Sequence, residues 1–332
     1  MLAPQPKEPT VAFPTMTSAC LVPATVPTLY FIGVTTGSSS IQKVFPLWAQ
    51  ELGLDGARLQ GIDLPLHAPR QDYRRVVEFI AHDELSLGAL VTTHKLDLYR
   101  AAHDLFDVID PLATMMGELS CLSKTDAGLV AHAKDPISSG LALDAFVPPD
   151  HWANTGSAAV SMGAGGSTIA ISWYLSRAQR GSDRPNRFIV TNRSQPRLDH
   201  LKQVHETFDT DVEFEYVLAA DAEDNDKVLS TLPPGSLVIN ATGLGKDAPG
   251  SPLTDAASFP QNGYAWELNY RGELVFLRQA RAQQDDRALN VEDGWIYFLH
   301  GWTQVIGEVF HADIPTRGPS FERLSDLARS VR

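Results

Sequence analysis

The chain has 332 residues, of which 43% are hydrophobic and 20% are charged, and its formal net charge is −13. This length and balance predict a globular protein with two domains. The negative charge argues against nucleic acid and against an anionic membrane surface as the main partner, because both require a basic binding surface.

Cysteine and histidine usage narrows the chemistry. Cys20 and Cys121 are the two cysteines and lie in no metal-ligand spacing, and the histidines form no HExxH or HxxxH pair. We therefore expect no metal site, no disulfide scaffold and a reducing compartment, the cytoplasm. Residues 1–27 are rich in proline and carry no basic segment before a long apolar run, so we interpret them as a loose extension. No segment approaches the roughly 18 apolar residues of a membrane span, and we expect no membrane partner.

The first half of the chain alternates apolar runs with amphipathic segments. In chain order the pattern predicts a strand, a helix, a strand, a helix and a strand, over residues 28–34, 44–52, 58–62, 72–82 and 87–91. Such alternation is typical of a parallel sheet with helices on its faces. We predict a first domain over residues 28–148, completed by C-terminal helices within 311–332.

A second alternating region follows a proline-containing link at residues 146–150. Its apolar runs predict strands over 158–162, 188–191, 212–217, 236–239 and 264–268, and long helices over 295–309 and 321–331. We predict a second domain over residues 149–310, with the doubly wound arrangement that binds nucleotides.

A glycine-rich turn joins the first strand of this region to a helix. Gly163 permits a tight turn, while Ala164, Gly165 and Gly166 keep the backbone open to a ligand. Ala170 allows the helix to pack closely on the strand. Because the start of the helix then presents free N–H groups, the turn predicts a pyrophosphate site.

The end of the next predicted strand indicates which nucleotide binds. An NAD site places an acidic residue there, which holds the ribose 2′-hydroxyl. This chain instead has Asn192, Arg193 and Ser194, with Arg197 three residues further on. Because guanidinium groups attract a 2′-phosphate, the segment predicts NADP as the cofactor.

These motifs, with others in the same order, resemble the shikimate and quinate dehydrogenase family over residues 29–310. The resemblance implies an α/β fold with an N-terminal parallel αβ substrate domain and a Rossmann-type doubly wound NADP-binding domain. It implies that Lys95, at the end of segment 91–95, and Asp135 are catalytic. It also implies that the nicotinamide end of the cofactor lies beside Asn240, Thr242 and Gly294.

The two implied catalytic residues suit alcohol oxidation. When hydride leaves a secondary alcohol for the nicotinamide, another group must accept the hydroxyl proton. Lys95, at the end of a strand facing an interdomain cleft, can accept it if its ammonium is destabilised or relays a proton to Asp135. Asp135 would orient both the lysine and the substrate hydroxyl.

At other positions that the resemblance implies for substrate binding, some of the family's residues are retained and others are replaced. Residues that we expect to bind substrate are Ser38, Ser40, Thr92, Ser120, Tyr270 and His300. The family's asparagine before its Val-Thr is Leu90 here, and Gly301 replaces its glutamine. Since an unpaired buried hydroxyl costs about 1–3 kcal/mol, we expect a substrate that suits Leu90 and Trp302, with fewer or different ring substituents.

The sequence therefore predicts an NADP-dependent dehydrogenase that interconverts a secondary alcohol and a ketone on an alicyclic, carboxylated compound. The alternative is a sensor or regulator that binds ligand on the same fold without redox turnover, an interpretation that the changed pocket favours and the retained Lys95 and Asp135 oppose. A hydrolase lacks any GxSxG signal. We expect a monomer or homodimer whose partner is a small molecule.

Overall fold

The computed structural model describes residues 15–246 and 248–331, and two sheets organise them. The seven strands of the first sheet lie in the order β1-β3-β2-β4-β6-β7-β5, and the six of the second in the order β10-β9-β8-β11-β12-β13. No helix in these ranges combines the length and hydrophobicity needed to cross a membrane. The same ranges contain no group of three or more His, Cys, Asp or Glu side chains arranged to hold a metal ion.

The first sheet is built by residues 16–132 with helices on its faces. Its strands are β1 Met16–Thr17, β2 Thr28–Gly33, β3 Arg58–Asp63, β4 Ser86–Val91, β5 Val108–Ile109, β6 Cys121–Thr125 and β7 Gly128–His132. The associated helices are α1 Ile41–Glu51, α2 Arg70–His82, α3 Lys95–Ala102, α4 Pro111–Met116 and α5 Asp135–Asp144. All six residues of β2 are buried, as expected for a central strand covered on both sides.

One strand of the first sheet departs from the parallel arrangement. β1, β2, β3 and β4 pair in parallel, as the alternation predicted, but β6 runs antiparallel to both β4 and β7. The sequence analysis did not identify this hairpin, because β6 and β7 are joined by two residues and carry polar side chains such as Ser123 and Lys124. The α/β class itself is confirmed.

The second sheet is parallel throughout and has the doubly wound order. Its strands are β8 Ala159–Met162, β9 Arg187–Asn192, β10 Glu213–Leu218, β11 Leu237–Asn240, β12 Tyr264–Glu267 and β13 Asn290–Glu292. Its helices are α6 His151–Thr155, α7 Gly166–Ser176, α8 Gln195–His205, α9 Ala222–Ser230, α10 Val275–Ala282 and α11 Gln284–Arg287. The order reverses next to β8, and in such sheets ligands bind at this switch point.

Two C-terminal helices, α12 Trp295–Val309 and α13 Pro319–Arg329, return to the first sheet. Leu299, Trp302 and Val305 of α12 lie in one apolar cluster with Leu29 of β2 and Leu90 of β4. We had expected residues 295–309 within the second domain. The packing places this helix on the first sheet, because its apolar face covers that sheet rather than the nucleotide-binding one.

The segment interpreted as a loose extension is partly ordered. Met16 and Thr17 form β1 and pair with Ile62 and Asp63 at the edge of the first sheet. The interpretation is therefore wrong for this strand. A strand of two residues can pair with the edge of a sheet, and it is too short to show any periodicity in the sequence. Residues 1–14 of the extension lie outside the described residues.

Candidate active site

The two implied catalytic residues form an ion pair at the carboxyl ends of the strands. Lys95 is the first residue of α3, just after β4, and Asp135 is the first residue of α5, just after β7. The Nζ of Lys95 donates to Oδ2 of Asp135, and both side chains are largely buried. Burial lowers the pKa of Lys95, but the charges of Asp135 and Glu118 outweigh it and the net direction is upward. The lysine is therefore held as an ammonium.

Tyr297 brings α12 into the same cluster. Its hydroxyl lies 3.5 Å from Oδ2 of Asp135 and donates to it, at the limit of a hydrogen bond. Burial raises the pKa of Tyr297 well above its usual value, and the charge of Asp135 adds to this effect. The phenol is consequently a neutral donor aimed at the carboxylate that holds Lys95.

Glu118 is a member of this cluster that the sequence analysis did not select. It lies in the turn between α4 and β6, is 1% exposed, and neither carboxylate oxygen has a hydrogen-bond partner in the described part of the chain. Burial raises its pKa to about 7, opposed by the charge of Lys95 and reinforced by that of Asp135. The signal in the sequence is an acidic residue between Gly117 and the apolar Leu119, two positions before Ser120.

The glycine turn of the second sheet closes the cluster from the other side. A Cβ added to Gly166 would lie only 2.4 Å from Oε2 of Glu118. The carboxylate therefore lies directly against the start of α7, the helix whose first turn was predicted to meet a pyrophosphate. The Lys95–Asp135 pair and the glycine turn thus face the same cleft.

The expected serines lie on the segment that follows β2. Ser38 is exposed and Ser40 is partly buried, and the Ser38 hydroxyl donates to the Thr35 carbonyl at 3.0 Å. Arg271, in the loop that follows Tyr270, donates to the Ser38 carbonyl at 3.4 Å. Arg271 therefore joins a loop of the second domain to the first-domain segment that carries the serines.

Three other expected substrate residues have different surroundings. The Thr92 hydroxyl donates weakly to the Ile32 carbonyl at 3.4 Å, and Thr92 is partly buried beside Gly33. Ser120 accepts from the Lys134 backbone N–H at 2.7 Å, which fixes the turn that precedes Asp135. Tyr270 packs on Phe298 with 4.7 Å between ring centroids.

His300 lies apart from the others. It is 2% exposed and stacks on Phe321 of α13 at 4.4 Å between ring centroids. Burial lowers the pKa of His300 to about 4, so the ring is neutral. Its place between two helices is that of a core residue, and the structure does not bring it to Lys95.

Leu90, at the position of the family's asparagine, and Trp302 form an apolar wall. Leu90 is 6% exposed and shares its cluster with Trp302. The indole of Trp302 meets Phe31 edge-on, with 5.0 Å between centroids. An amide at position 90 would have no polar partner among these rings, so this wall is suited to hydrocarbon rather than to hydroxyl groups.

The glycine turn opens into a cavity of about 610 Å³. Its lining includes most of the residues predicted to bind cofactor, namely Gly163, Ala164, Gly165, Asn192, Arg193, Ser194, Arg197 and Thr242. Such a volume lies within the range of nucleotide-sized pockets. Gly163 has φ of +116°, and a Cβ there would approach the Ala241 carbonyl to 2.6 Å, so this turn requires glycine.

Two of the remaining predicted cofactor residues, Asn240 and Gly294, do not line the cavity but hold the loops that form its walls. Asn240 is fully buried, donates to Glu267 at 2.7 Å and accepts from the backbone N–H and hydroxyl of Thr242. Gly294 allows the backbone of Leu268 to approach, since a Cβ there would lie 2.0 Å from its carbonyl oxygen. Both positions therefore fix the loop that borders the cavity.

The two arginines stand at the cavity rim. Arg193 and Arg197 are exposed, and neither forms an ion pair with another described residue. Asn192 accepts from the Ser194 backbone N–H at 2.9 Å and holds this turn. The guanidinium groups are thus available to an anionic group at the edge of the cavity.

No protein-family model matches the sequence, and no curated protein matches it. Solved structures do. Quinate dehydrogenase from Corynebacterium glutamicum in complex with NAD has a TM-score of 0.70 and 19% identity, over 92% of this chain and 99% of that one. Shikimate 5-dehydrogenase from Thermus thermophilus, in complex with NADP(H) and shikimate, has a TM-score of 0.67 and 21% identity over the same shares.

The chain has the shikimate dehydrogenase fold. The 5-ketofructose reductase of Gluconobacter sp. strain CHM43 is similar as well, with a TM-score of 0.67 and 15% identity, over 92% of this chain and 99% of that chain. The resemblance that the motifs indicated is thus confirmed in the architecture, including the Rossmann-type second domain. Because these identities are low, the cofactor, the substrate and the residue roles rest on the site itself.

Proposed function

We propose that this protein is an NADP-dependent oxidoreductase that interconverts a secondary alcohol and a ketone on an alicyclic, carboxylated substrate. The observation that carries the proposal is the buried Lys95–Asp135 pair, with Tyr297 beside it, in the same cleft as the glycine turn. A proton-transferring group next to a nicotinamide is the minimum that alcohol oxidation requires.

NADP is the proposed cofactor because of the charge at the cavity rim. The 2′-phosphate would meet Arg193 and Arg197, with the hydroxyl of Ser194 between them, and the described structure gives neither arginine another anionic partner. When bound, the nicotinamide supplies the hydride acceptor. The glycine turn and the start of α7 hold the pyrophosphate.

The substrate carboxylate is assigned to the hydroxyls of Ser38 and Ser40, and the ring to the wall formed by Leu90 and Trp302. The wall offers few hydrogen-bond partners. A ring hydroxyl buried against it would lose its hydrogen bonds to water and gain none from the protein, which weakens binding. We therefore propose a less hydroxylated or differently substituted cyclohexane or cyclohexene carboxylate than shikimate as the preferred substrate.

A panel assay tests this function. Purified protein is mixed with NADP or NADPH and with shikimate, quinate, their keto forms and simpler cyclohexene carboxylates, and the nicotinamide absorbance is followed. We expect turnover that Lys95→Ala lowers by at least about 10²-fold. Absence of turnover with every compound, together with tight binding of one of them, would instead favour a ligand-binding sensor on this fold, which the apolar wall at Leu90 also suits.

A further inference from the structure

The cleft contains a buried carboxylate, that of Glu118, whose presence the Lys95–Asp135 pair does not explain. Glu118 is 1% exposed and both of its oxygens lack hydrogen-bond partners, although an unpaired buried carboxylate is costly. Elsewhere in the described chain, Glu267 is completely buried too, but it accepts from Asn240 and Asn269. An orphaned acid beside a reactive lysine therefore calls for a chemical explanation.

The groups that face Glu118 come from four helices. Lys95 of α3 is a positive neighbour, Asp135 of α5 is a negative one, and Tyr297 of α12 is a neutral phenol. The fourth helix, α7, contributes the backbone of Gly166 and no charge. With Lys95 an ammonium and Asp135 a carboxylate, the charge of the cluster is zero when Glu118 is protonated and −1 when it is ionised.

Alcohol oxidation needs a destination for one proton. The carbinol carbon gives a hydride to the nicotinamide, and the O–H bond electrons become the second bond of the ketone. The hydroxyl proton is released. Lys95 can accept it only after passing one of its own protons on, because its raised pKa keeps it an ammonium.

We propose that Glu118 is a proton-relay residue, which acts through Lys95: in oxidation it takes up the proton released from the substrate hydroxyl, and in reduction it returns that proton. The inference rests on the proposed function. For each turnover, alcohol and NADP⁺ give ketone and NADPH. Because no hydrogen bond joins Glu118 to Lys95 directly, Lys95 passes one proton to the Glu118 carboxylate through a bridging water and takes up the hydroxyl proton in its place. The carboxylic acid so formed keeps the proton until water in the opened cleft removes it. Glu118 is not assigned any contact with substrate.

The titration of Glu118 supports this relay. Burial and Asp135 raise its pKa to about 7 against the opposing charge of Lys95, so both protonation states are accessible near neutral pH. A group with such a pKa can both accept and return a proton, which Lys95 alone cannot do. Oxidation requires the ionised form and should slow as the pH falls below about 7; reduction requires the protonated form and should slow as the pH rises above it.

The test compares pH profiles of kcat in both directions for wild type, Glu118→Gln and Glu118→Asp with NADP(H) and the best substrate of the panel. Glu118→Gln keeps the size but cannot hold the proton, and we expect a loss of about 10²-fold in kcat for oxidation at pH 8, at the low end for acid–base catalysis. The limb near pH 7 should disappear in both directions. Glu118→Asp should restore the limb in part, and KM should change little in both variants.

Asp83→Asn is the matched control. Asp83 is 8% exposed and accepts from the Tyr30 hydroxyl, at the end of α2 and outside the cluster. Its removal tests the loss of a buried carboxylate as such and should leave both pH limbs in place. NADP affinity, measured for each variant, shows that the second domain is folded.

Infrared difference spectra supply a readout that does not depend on turnover. Burial raises the pKa of Glu267 to about 7 as well, so its band is common to wild type and Glu118→Gln. The readout is therefore the difference between the two proteins, in which a carboxylic acid band should titrate near pH 7. If wild type turns over and Glu118→Gln keeps its pH limbs, or if only KM changes, the relay is refuted while the proposed function stands. If wild type is inert with every substrate, the proposed function fails and the relay fails with it.

Discussion

The nucleotide cavity and the substrate cleft differ in how they are held together. Much of the cavity wall is backbone, namely a glycine turn, the start of a helix and loops fixed by Asn240, and the side chains of Arg193 and Arg197 stand at its rim. The cleft is made of side chains such as those of Lys95, Asp135 and Glu118, and the wall assigned to it has Leu90 where the family pattern has an asparagine. Backbone sites tolerate little change, whereas a side-chain shell can be altered one residue at a time, which explains how one architecture accommodates several substrates.

Removing the lysine should give the largest difference between the two regions, because Lys95 lies in the cleft and not in the nucleotide cavity. Lys95→Ala should lower kcat by about 10²- to 10⁴-fold and leave NADP affinity nearly unchanged. Steady-state kinetics and NADP titration measure the two quantities. Lys43→Ala, on the exposed side of α1, is the control. Full turnover of Lys95→Ala would remove Lys95 from the mechanism.

Glu118→Gln should stabilise the protein at alkaline pH, although it slows the reaction. The pKa of Glu118 is about 7 in the fold against 4.5 for an ordinary glutamate, so the fold binds this proton more tightly than the unfolded chain. Ionisation therefore costs stability, beginning near pH 4.5 and reaching its full size, about 3 kcal/mol, above pH 7. Glutamine escapes that cost. Denaturant unfolding should show the gain at pH 8 and almost none at pH 4; equal gains at both would contradict this linkage.

A charge reversal at the cavity rim separates the two cofactors. Arg193→Asp should weaken NADP binding by about 1.5–3 kcal/mol, roughly 10- to 150-fold in Kd, and change NAD binding little, because only NADP carries a 2′-phosphate. Calorimetric titration with both cofactors measures this. Arg278→Asp, on the exposed face of α10, controls for net charge. An equal loss for NAD and NADP would mean that Arg193 is structural.

The smallest expected effect concerns the apolar wall. Leu90→Asn should raise kcat/KM for shikimate by about 5-fold relative to a less hydroxylated carboxylate, since one net hydrogen bond contributes about 1 kcal/mol. Leu90→Met, which conserves volume without adding an amide, should leave the ranking unchanged. A wild type that already prefers shikimate, with no gain from Leu90→Asn, would show that this wall does not select the substrate.

Local pattern was sufficient for most of the framework. The strands near residues 28–34 and 87–91 were found because buried parallel strands are continuous apolar runs, and the glycine turn was found because a pyrophosphate needs bare backbone. Lys95 and Asp135 were selected by their motifs, and the structure brings them together although they are forty positions apart. The β6–β7 hairpin and β1 were not found, because short or polar strands carry too little periodicity.

What the sequence determined by itself was therefore the α/β class and the nucleotide turn, each of which depends on neighbouring residues in the chain, whereas Lys95 and Asp135 were selected through the family resemblance. The tertiary structure alone decided which side chains share the cleft. It placed α12 on the first sheet and so brought Tyr297 to Asp135, while it buried His300 against Phe321. It also left Glu118 without a hydrogen-bond partner and close to Lys95. The burial of Glu118 and the charge around it come from residues that are far apart in the sequence, so local pattern does not reveal them.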